Sequence, residues 1–263
     1  MNTKPYTSDL GEHAVMITRV ADRQWHALED DLVVGRGYAQ QRPDGRLFVS
    51  VDAWHDDTFD RLAGAMAAHL PAPLYTVVDE ADAELTARWR RAGFTSRRRE
   101  WEYVVPTDPR VTGLDEVLPP AGVTIVPAGQ ADESLLRAVD RAIREEVEAT
   151  VGWQSMPAEV VPHPEGDTVV DPSAYAVAAT PDRYLGLIRV VIPIRPRIGL
   201  LAVRACEQRR GIARALLAHA LGTLHRTGFT EAWTEVQESN HAASTLFEGI
   251  GARRASSNLE LVR

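Results

Sequence analysis

One stretch limits the fold of this chain more than any other: residues 197–226, which read as a strand, a short polar bend and a helix. Arg197-Ile-Gly-Leu-Leu-Ala-Val203 is a short, mostly apolar run set off by Pro196 and a charged bend, the pattern of a strand. From Gly211 onward Ile212, Ala215, Leu216, Ala220 and Leu221 recur near a helical period, and Gly228 follows as a stop. Between them lies Gln208-Arg-Arg-Gly-Ile-Ala213. A glycine there lets the backbone come close to a ligand, because no Cβ stands in the way. The first-turn N–H groups lack intrahelical acceptors, and the helix dipole adds partial positive charge. Such a terminus suits a phosphate or pyrophosphate, and Arg209 and Arg210 are expected to add full positive charge. There is no G-x-x-x-x-G-K-[ST] and no G-x-G-x-x-G after a strand, so neither a Walker A loop nor a Rossmann fingerprint is present.

A second element follows. Residues 231–237 alternate as a strand does, and 238–252 read as a turn and a short helix. Asn240 is a good N-cap, Ala243, Leu246, Phe247 and Ile250 share a face, and Gly251 suits the C-terminal end. The loop at 208–213 and the run at 240–251 resemble the Q/R-x-x-G-x-G/A and N-x-x-A-x-x-L-[YF]-x-x-x-G signatures of the GCN5-related N-acetyltransferases (GNAT family). The resemblance covers residues 123–263 well and the first half more faintly. It implies an α/β (α+β) acyl-CoA N-acyltransferase fold, a mixed and mostly antiparallel sheet flanked by helices, with acetyl-CoA as co-substrate and no metal. By the same resemblance Leu201, Ala202, Val203, Gln208, Arg209, Arg210, Gly211, Ile212 and Ala213 hold the cofactor, chiefly through the backbone. Asn240 contacts its pantetheine or pyrophosphate region, alongside Ala243, and Phe247 packs near the thiol end. A backbone N–H near Val203, where the strand splays from its neighbour, would polarise the thioester carbonyl. The segment after the first helix of the second half, residues 151–167 with Trp153, Met156 and His163, would form one wall of the acceptor pocket.

Acetyl transfer to an amine needs a base, because an alkylamine with a pKa of ~10.4 is almost wholly protonated at neutral pH. It also needs a polarised carbonyl and a proton for the leaving thiolate. Glu235 is the candidate base. It lies five residues before Asn240 in Trp-Thr-Glu-Val-Gln-Glu-Ser-Asn, which resembles ribosomal-protein N-terminal acetyltransferases, where the glutamate takes that role. The competing reading is a strand glutamate facing solvent or paired with an arginine. Glu145, Glu146, Tyr184 and His241 are the reserves. Phe247 departs from the family, which often has tyrosine there; phenylalanine cannot donate a proton, so Tyr184 or a water would protonate the thiolate.

Net charge is −8, which speaks against a general phosphate-backbone binder and suits amine-bearing acceptors, so the expected partner is a small-molecule or peptide amine and not nucleic acid. Cys206 is the single cysteine, so no internal disulfide can form, and it is expected to be a small half-buried side chain. No apolar run approaches a membrane span and residues 1–8 lack an apolar signal core, so a cytoplasmic monomer or homodimer, without membrane contact, is expected.

Residues 1–106 read as strand, strand, strand, strand, helix (57–70), strand, helix (82–92) and a charged strand (96–105), echoing the end of the second half. With Val51 set against Val203 and Gly93 against Gly251, Asp56 falls opposite Gln208, Phe59 opposite Gly211, Val77 opposite Glu235 and Asp82 opposite Asn240. A carboxylate and a bulky ring would repel and block a pyrophosphate. The expected organisation is thus a truncated, degenerate GNAT-like half (1–106), a Pro/Gly-rich linker (107–122) and a catalytic GNAT half (123–263). The function expected is an N-acetyltransferase acting by direct attack in a ternary complex. The alternatives are a non-catalytic acyl-CoA-binding or regulatory module, or a scaffold.

Overall fold

A computed structural model describes residues 15–42, 45–152, 171–192 and 194–263. The expected turn at 43–46 and the expected acceptor wall at 151–167 lie in part outside the described residues, the latter with Trp153, Met156 and His163.

The first half runs β1 (Met16–Ala21), β2 (Gln24–Glu29), β3 (Leu32–Gln41), β4 (Leu47–Ala53), α1 (Asp56–His69), β5 (Leu74–Asp79), α2 (Ala83–Arg91) and β6 (Thr95–Pro106). After a short helix α3 (Pro109–Thr112), the second half runs β7 (Thr124–Val126), α4 (Glu133–Glu148), β8 (Tyr175–Ala179), β9 (Tyr184–Val191), β10 (Arg197–Val203), α5 (Ile212–Arg226), β11 (Glu231–Gln237), α6 (His241–Glu248) and β12 (Arg253–Val262). The elements of the first half follow the expected order, with the ends of the predicted helices and charged strand moved by a single residue. Among the described residues no helix is long and apolar enough to cross a membrane.

All twelve strands form one sheet in the order β1-β2-β3-β4-β5-β12-β6-β11-β10-β9-β8-β7. The two halves therefore exchange their final strands. β6 leaves the first half, and its later part pairs antiparallel with the whole of β11, from Glu231↔Pro106 to Gln237↔Glu100. β12 leaves the second half and pairs with β5, from Asn258↔Asp79 to Val262↔Tyr75. Apolar side chains go with the backbone. Leu259 and Leu261 are buried in the first half's core with Phe59, Leu62, Met66 and Trp89, whereas Tyr103 and Val105 are buried in the second half's core with Ile212, Leu216 and Phe247. The expected boundaries at 106 and 123 describe the order of the chain, but the sheet crosses them.

The internal repeat is visible in the caps. Asp82 accepts from the Leu85 N–H (2.8 Å) and Asn240 from the Ala243 N–H (3.1 Å), each at the start of the last helix of its half. Gly93 and Gly251, which follow those helices, both take positive φ. The other correspondence is corrected. α1 starts at Asp56 with His55 as N-cap, directly after β4 and Trp54, so Phe59 does not stand opposite Gly211. In the second half residues 204–211 intervene between β10 and α5, and the first half has no counterpart of that loop. Phe59 is instead fully buried, edge-on to Trp89 at 5.0 Å, and Asp56 is paired with Arg88 and Arg91.

Helices α1 and α2 pack on one face of the sheet in the first half, and α5 and α6 do so in the second. α4 covers the opposite face beside β8 to β10 through Leu136, Val139 and Ile143. The same helix also buries an i,i+4 ion pair, Asp140–Arg144 at 2.6 Å, that the apolar pattern does not reveal. On α4's side, the middle of the sheet carries charge instead of a helix. There Glu260, 3% exposed, is held by Arg46 (3.1 Å), Arg98 (3.2 Å) and Arg97, joining β12 to β6 and to the segment before β4.

Candidate active site

β10 and β11 lie side by side and parallel, yet their ladder holds only one matched pair, Arg197↔Trp233. Just beyond it the Thr234 hydroxyl donates to the Ile198 carbonyl (3.0 Å), and Trp233 N–H donates to the Pro196 carbonyl (2.9 Å). Past that apex the strands have no further matched pair, and the seam opens toward the ends that carry Val203 and Gln237. On its other edge β10 stays laddered to β9 as far as Val203↔Gly186, with a register shift between Ile198 and Leu200 that leaves Gly199 as a bulge. A bulge turns local amides out of the ladder. Gly186 is needed for the closeness of β9 and β10 here: a Cβ on it would lie 2.8 Å from the Ala202 carbonyl oxygen.

The open end of the seam runs into the loop. Arg209 and Gly211 both take positive φ (64° and 88°), bending the chain sharply before α5. Gly211 is the N-cap, without a side-chain cap, and Ala215 N–H to Gly211 carbonyl (3.0 Å) opens the helical ladder. The amides of Ile212, Ala213 and Arg214 are thus orphaned by helix geometry. A Cβ on Gly211 would meet nothing within 4 Å, so the loop faces open space. The residues present therefore fit a diphosphate: an unobstructed backbone, first-turn amides and a helix dipole.

The loop is braced from outside. Glu146 accepts from Arg204 Nε (2.6 Å) and from the Ala205 N–H (2.7 Å), and this contact raises the Arg204 pKa above its ordinary value. Buried Glu207 pairs with Arg183 (3.0 Å) and with Arg210. The Gln208 side chain donates to the Val203 carbonyl (3.2 Å), tying the loop back to β10. Two expectations change. Arg210 does not present its charge alone, because it shares the Glu207 carboxylate with Arg183, and Cys206 is exposed rather than half-buried. Glu146 and Glu207 were not legible as braces, since their partners lie in other elements.

Two clefts flank the seam. One, of about 570 Å³, lies between α5 and α6 and is lined by Arg209, Arg214, His241, Thr245 and Leu246 among others. Asn240 caps α6 beside it through the Ala243 amide. The other, of about 370 Å³, lies on the opposite face of the sheet. Side chains alternate between faces along a strand: Ala232 and Val236 of β11 are buried toward α5, and Glu235 between them points the other way, into the second cleft. Arg197 and Gly199, at the apex, line the same cleft. Glu235 Oε2 accepts from Arg197 Nη2 at 2.6 Å.

The structure thus gathers Leu201, Ala202, Val203, the loop from Gln208 to Ala213 and Asn240 around the open end of the seam, and sets Glu235 just past its apex. It does not bring Tyr184 to them. That side chain is buried under α4, and its hydroxyl accepts from the Asp132 N–H (2.9 Å) at the helix N-terminus. Phe247 is buried in the core, stacked on Tyr103 at 6.3 Å. Among the described residues no group of three His, Cys, Asp or Glu is placed to hold a metal ion.

A mixed, mostly antiparallel sheet flanked by helices, with a parallel pair of strands opening beside a glycine loop, is the acyl-CoA N-acyltransferase fold. Residues 141–252 match the acetyltransferase (GNAT) family model. Over 56 residues the chain is 41% identical to the [Ribosomal protein bS18]-alanine N-acetyltransferase of Escherichia coli K12; the match covers 21% of this chain and 38% of that relative's length. Two solved structures share the fold across nearly the whole chain. A GCN5-related N-acetyltransferase from Sphaerobacter thermophilus is 17% identical, with a TM-score of 0.61, covering 94% of this chain and 82% of that one. A tandem GNAT protein from the clavulanic acid biosynthesis pathway is 14% identical, with a TM-score of 0.64, covering 91% and 82%.

Proposed function

We propose that the chain transfers an acetyl group from acetyl-CoA to a primary amine of a small molecule or peptide, by direct attack in a ternary complex. The observation that carries this reading is the open seam between β10 and β11, with the glycine loop at its wide end and Glu235 beyond its apex. Acetyl-CoA would supply the activated acyl group. The amides of Ile212 and Ala213 and the open backbone at Gly211 would hold its diphosphate, with Arg209, Arg214 and Asn240 beside them. The unmatched edge of β10 would hold the pantetheine and polarise the carbonyl. Glu235 would take a proton from the acceptor ammonium, directly or through water. The freed amine then attacks the thioester carbon, the N–C bond forms as the C–S bond breaks, and the amine's second proton is lost to solvent while the thiolate takes one up. Tyr184 has no part in this scheme, because its hydroxyl is tied to α4, so water is the proposed donor to the thiolate.

The first half supplies no second cofactor site in this reading: it lacks the loop, and Val77 stands where Glu235 stands. The test is release of free CoA from acetyl-CoA in the presence of a panel of amines. Tight acetyl-CoA binding with no amine-dependent release would instead favour a non-catalytic acyl-CoA-binding module. A peptide N-terminus belongs in the panel because the curated relative acts on a ribosomal protein's alanine.

A further inference from the structure

The second cleft has a charge pattern that the transfer reaction alone does not require. The chain as a whole carries −8, yet this cleft is lined by Arg42, Arg98, Arg189 and Arg197 against Glu100 and Glu235. Two of the arginines are engaged by carboxylates of the same face: Arg197 by Glu235 (2.6 Å), and Arg98 by Glu100 (2.9 Å) and Glu260 (3.2 Å). Arg42 sits over Phe48, 3.6 Å from the ring centre, at the rim of the cleft. Arg189 differs from these. Among the described residues no carboxylate lies within 4.0 Å of it, although Asp171 and Tyr175 are near enough to feel its charge. Its Nη1 stands 3.1 Å from where a Cβ of Gly199 would be, so the guanidinium rests on the bulge at the apex of the seam. A cation is therefore held at the point where acceptor and acyl group would meet, on the same wall as Glu235.

We infer that the acceptor is a small zwitterion, an amine that also carries a carboxylate, and that Arg189 binds the carboxylate while Glu235 faces the ammonium. This rests on the acetyltransferase reading and narrows it. A volume of about 370 Å³ suits one small molecule, and a guanidinium takes a carboxylate through two parallel hydrogen bonds, which orients as well as binds it. An extended peptide places its carboxylate far from its amine and gains nothing from Arg189. Arg189 would be a specificity residue: it does not touch the reacting atoms, but it decides which amines bring their nitrogen to Glu235.

The experiment uses matched pairs that differ only in the carboxylate: γ-aminobutyrate against n-propylamine, and L-phenylalanine against phenethylamine. Each is titrated calorimetrically into the protein with CoA present, and each is assayed for CoA release from acetyl-CoA. The wild type should favour at least one carboxylate-bearing member by about 10- to 100-fold, the worth of a charge-assisted contact. Arg189→Ala and the longer polar Arg189→Gln should both erase that preference, mainly through KM, with acetyl-CoA affinity unchanged. Equal binding within every pair, no binding by any member, or a preference that survives both substitutions would overturn the inference. A calorimetric preference lost in both variants, but without CoA release, would leave the anion site standing and remove the acetyltransferase reading.

Discussion

Arg197 and Glu235 face each other at 2.6 Å across the last matched pair of β10 and β11, so the candidate base is anchored at the point where the two strands part. The contact fixes a carboxylate that a strand position alone leaves free to rotate. Glu235→Gln keeps the shape and removes the proton acceptor. Turnover should fall about 10²- to 10⁴-fold with acetyl-CoA affinity unchanged; wild-type turnover in that variant would remove Glu235 from the mechanism.

Gly211 tests the loop. Its φ of 88° penalises any Cβ, and the space in front of it is open. Gly211→Glu should abolish acetyl-CoA binding by putting bulk and negative charge where the diphosphate is proposed to sit. Titration of acetyl-CoA into the variant, with circular dichroism to show that it folds, gives the answer. Retained affinity would refute the assignment.

The exchanged strand makes the first half depend on the second. Leu261 is fully buried in a core that, apart from its β12 neighbour Leu259, is built from residues of the first half. Leu261→Ala should cost about 2–5 kcal/mol, and hydrogen exchange should rise in α1 and β5 although the substitution lies in β12. Local loosening confined to β12 would contradict this.

Glu260 is the buried centre of three arginines, so removing it leaves guanidinium charge without its counterion. Glu260→Ala should destabilise by about 3–5 kcal/mol, read as a shift of the urea midpoint at constant slope. A loss below about 1 kcal/mol would show that the cluster is solvated.

His219 on α5 is held below its ordinary value of 6.5, first by burial and then by the charge of Arg226. The unfolded chain therefore binds a proton at a higher pH than the native one. Stability gains with pH wherever the unfolded state carries more protons, so this contribution is complete above about pH 6.5 and is lost as pH falls below it. His219→Gln should flatten that acid-side loss in urea midpoints taken from about pH 8 to about pH 5. An identical decline in both proteins would exclude His219 as a source.

Elements whose signal is local were readable from the residues. The strand at 197–203, the helix stripe of Ile212, Ala215, Leu216, Ala220 and Leu221, and the cap at Asn240 all depend on neighbours within a turn or two. What was not readable joins distant residues. Nothing in residues 95–106 says that they pair with 231–237 rather than within their own half, because period-two alternation states which face is buried and not which strand lies alongside. The braces Glu146 and Glu207, the Glu260 cluster and the arginine-lined cleft share that property. The mismatch of Phe59 and Gly211 has a related cause: the first half goes from strand to helix without the loop that separates β10 from α5, and fixed spacing along the chain does not show where a loop is missing.

The exchange of β6 and β12 also sets a schedule for synthesis. The strand that closes the early core is made only after the other elements of the second half, so β5 has one edge bare while they emerge. Maturation of that core then waits on the second half, and the nascent polypeptide is a natural client for chaperones that shield unpaired edges.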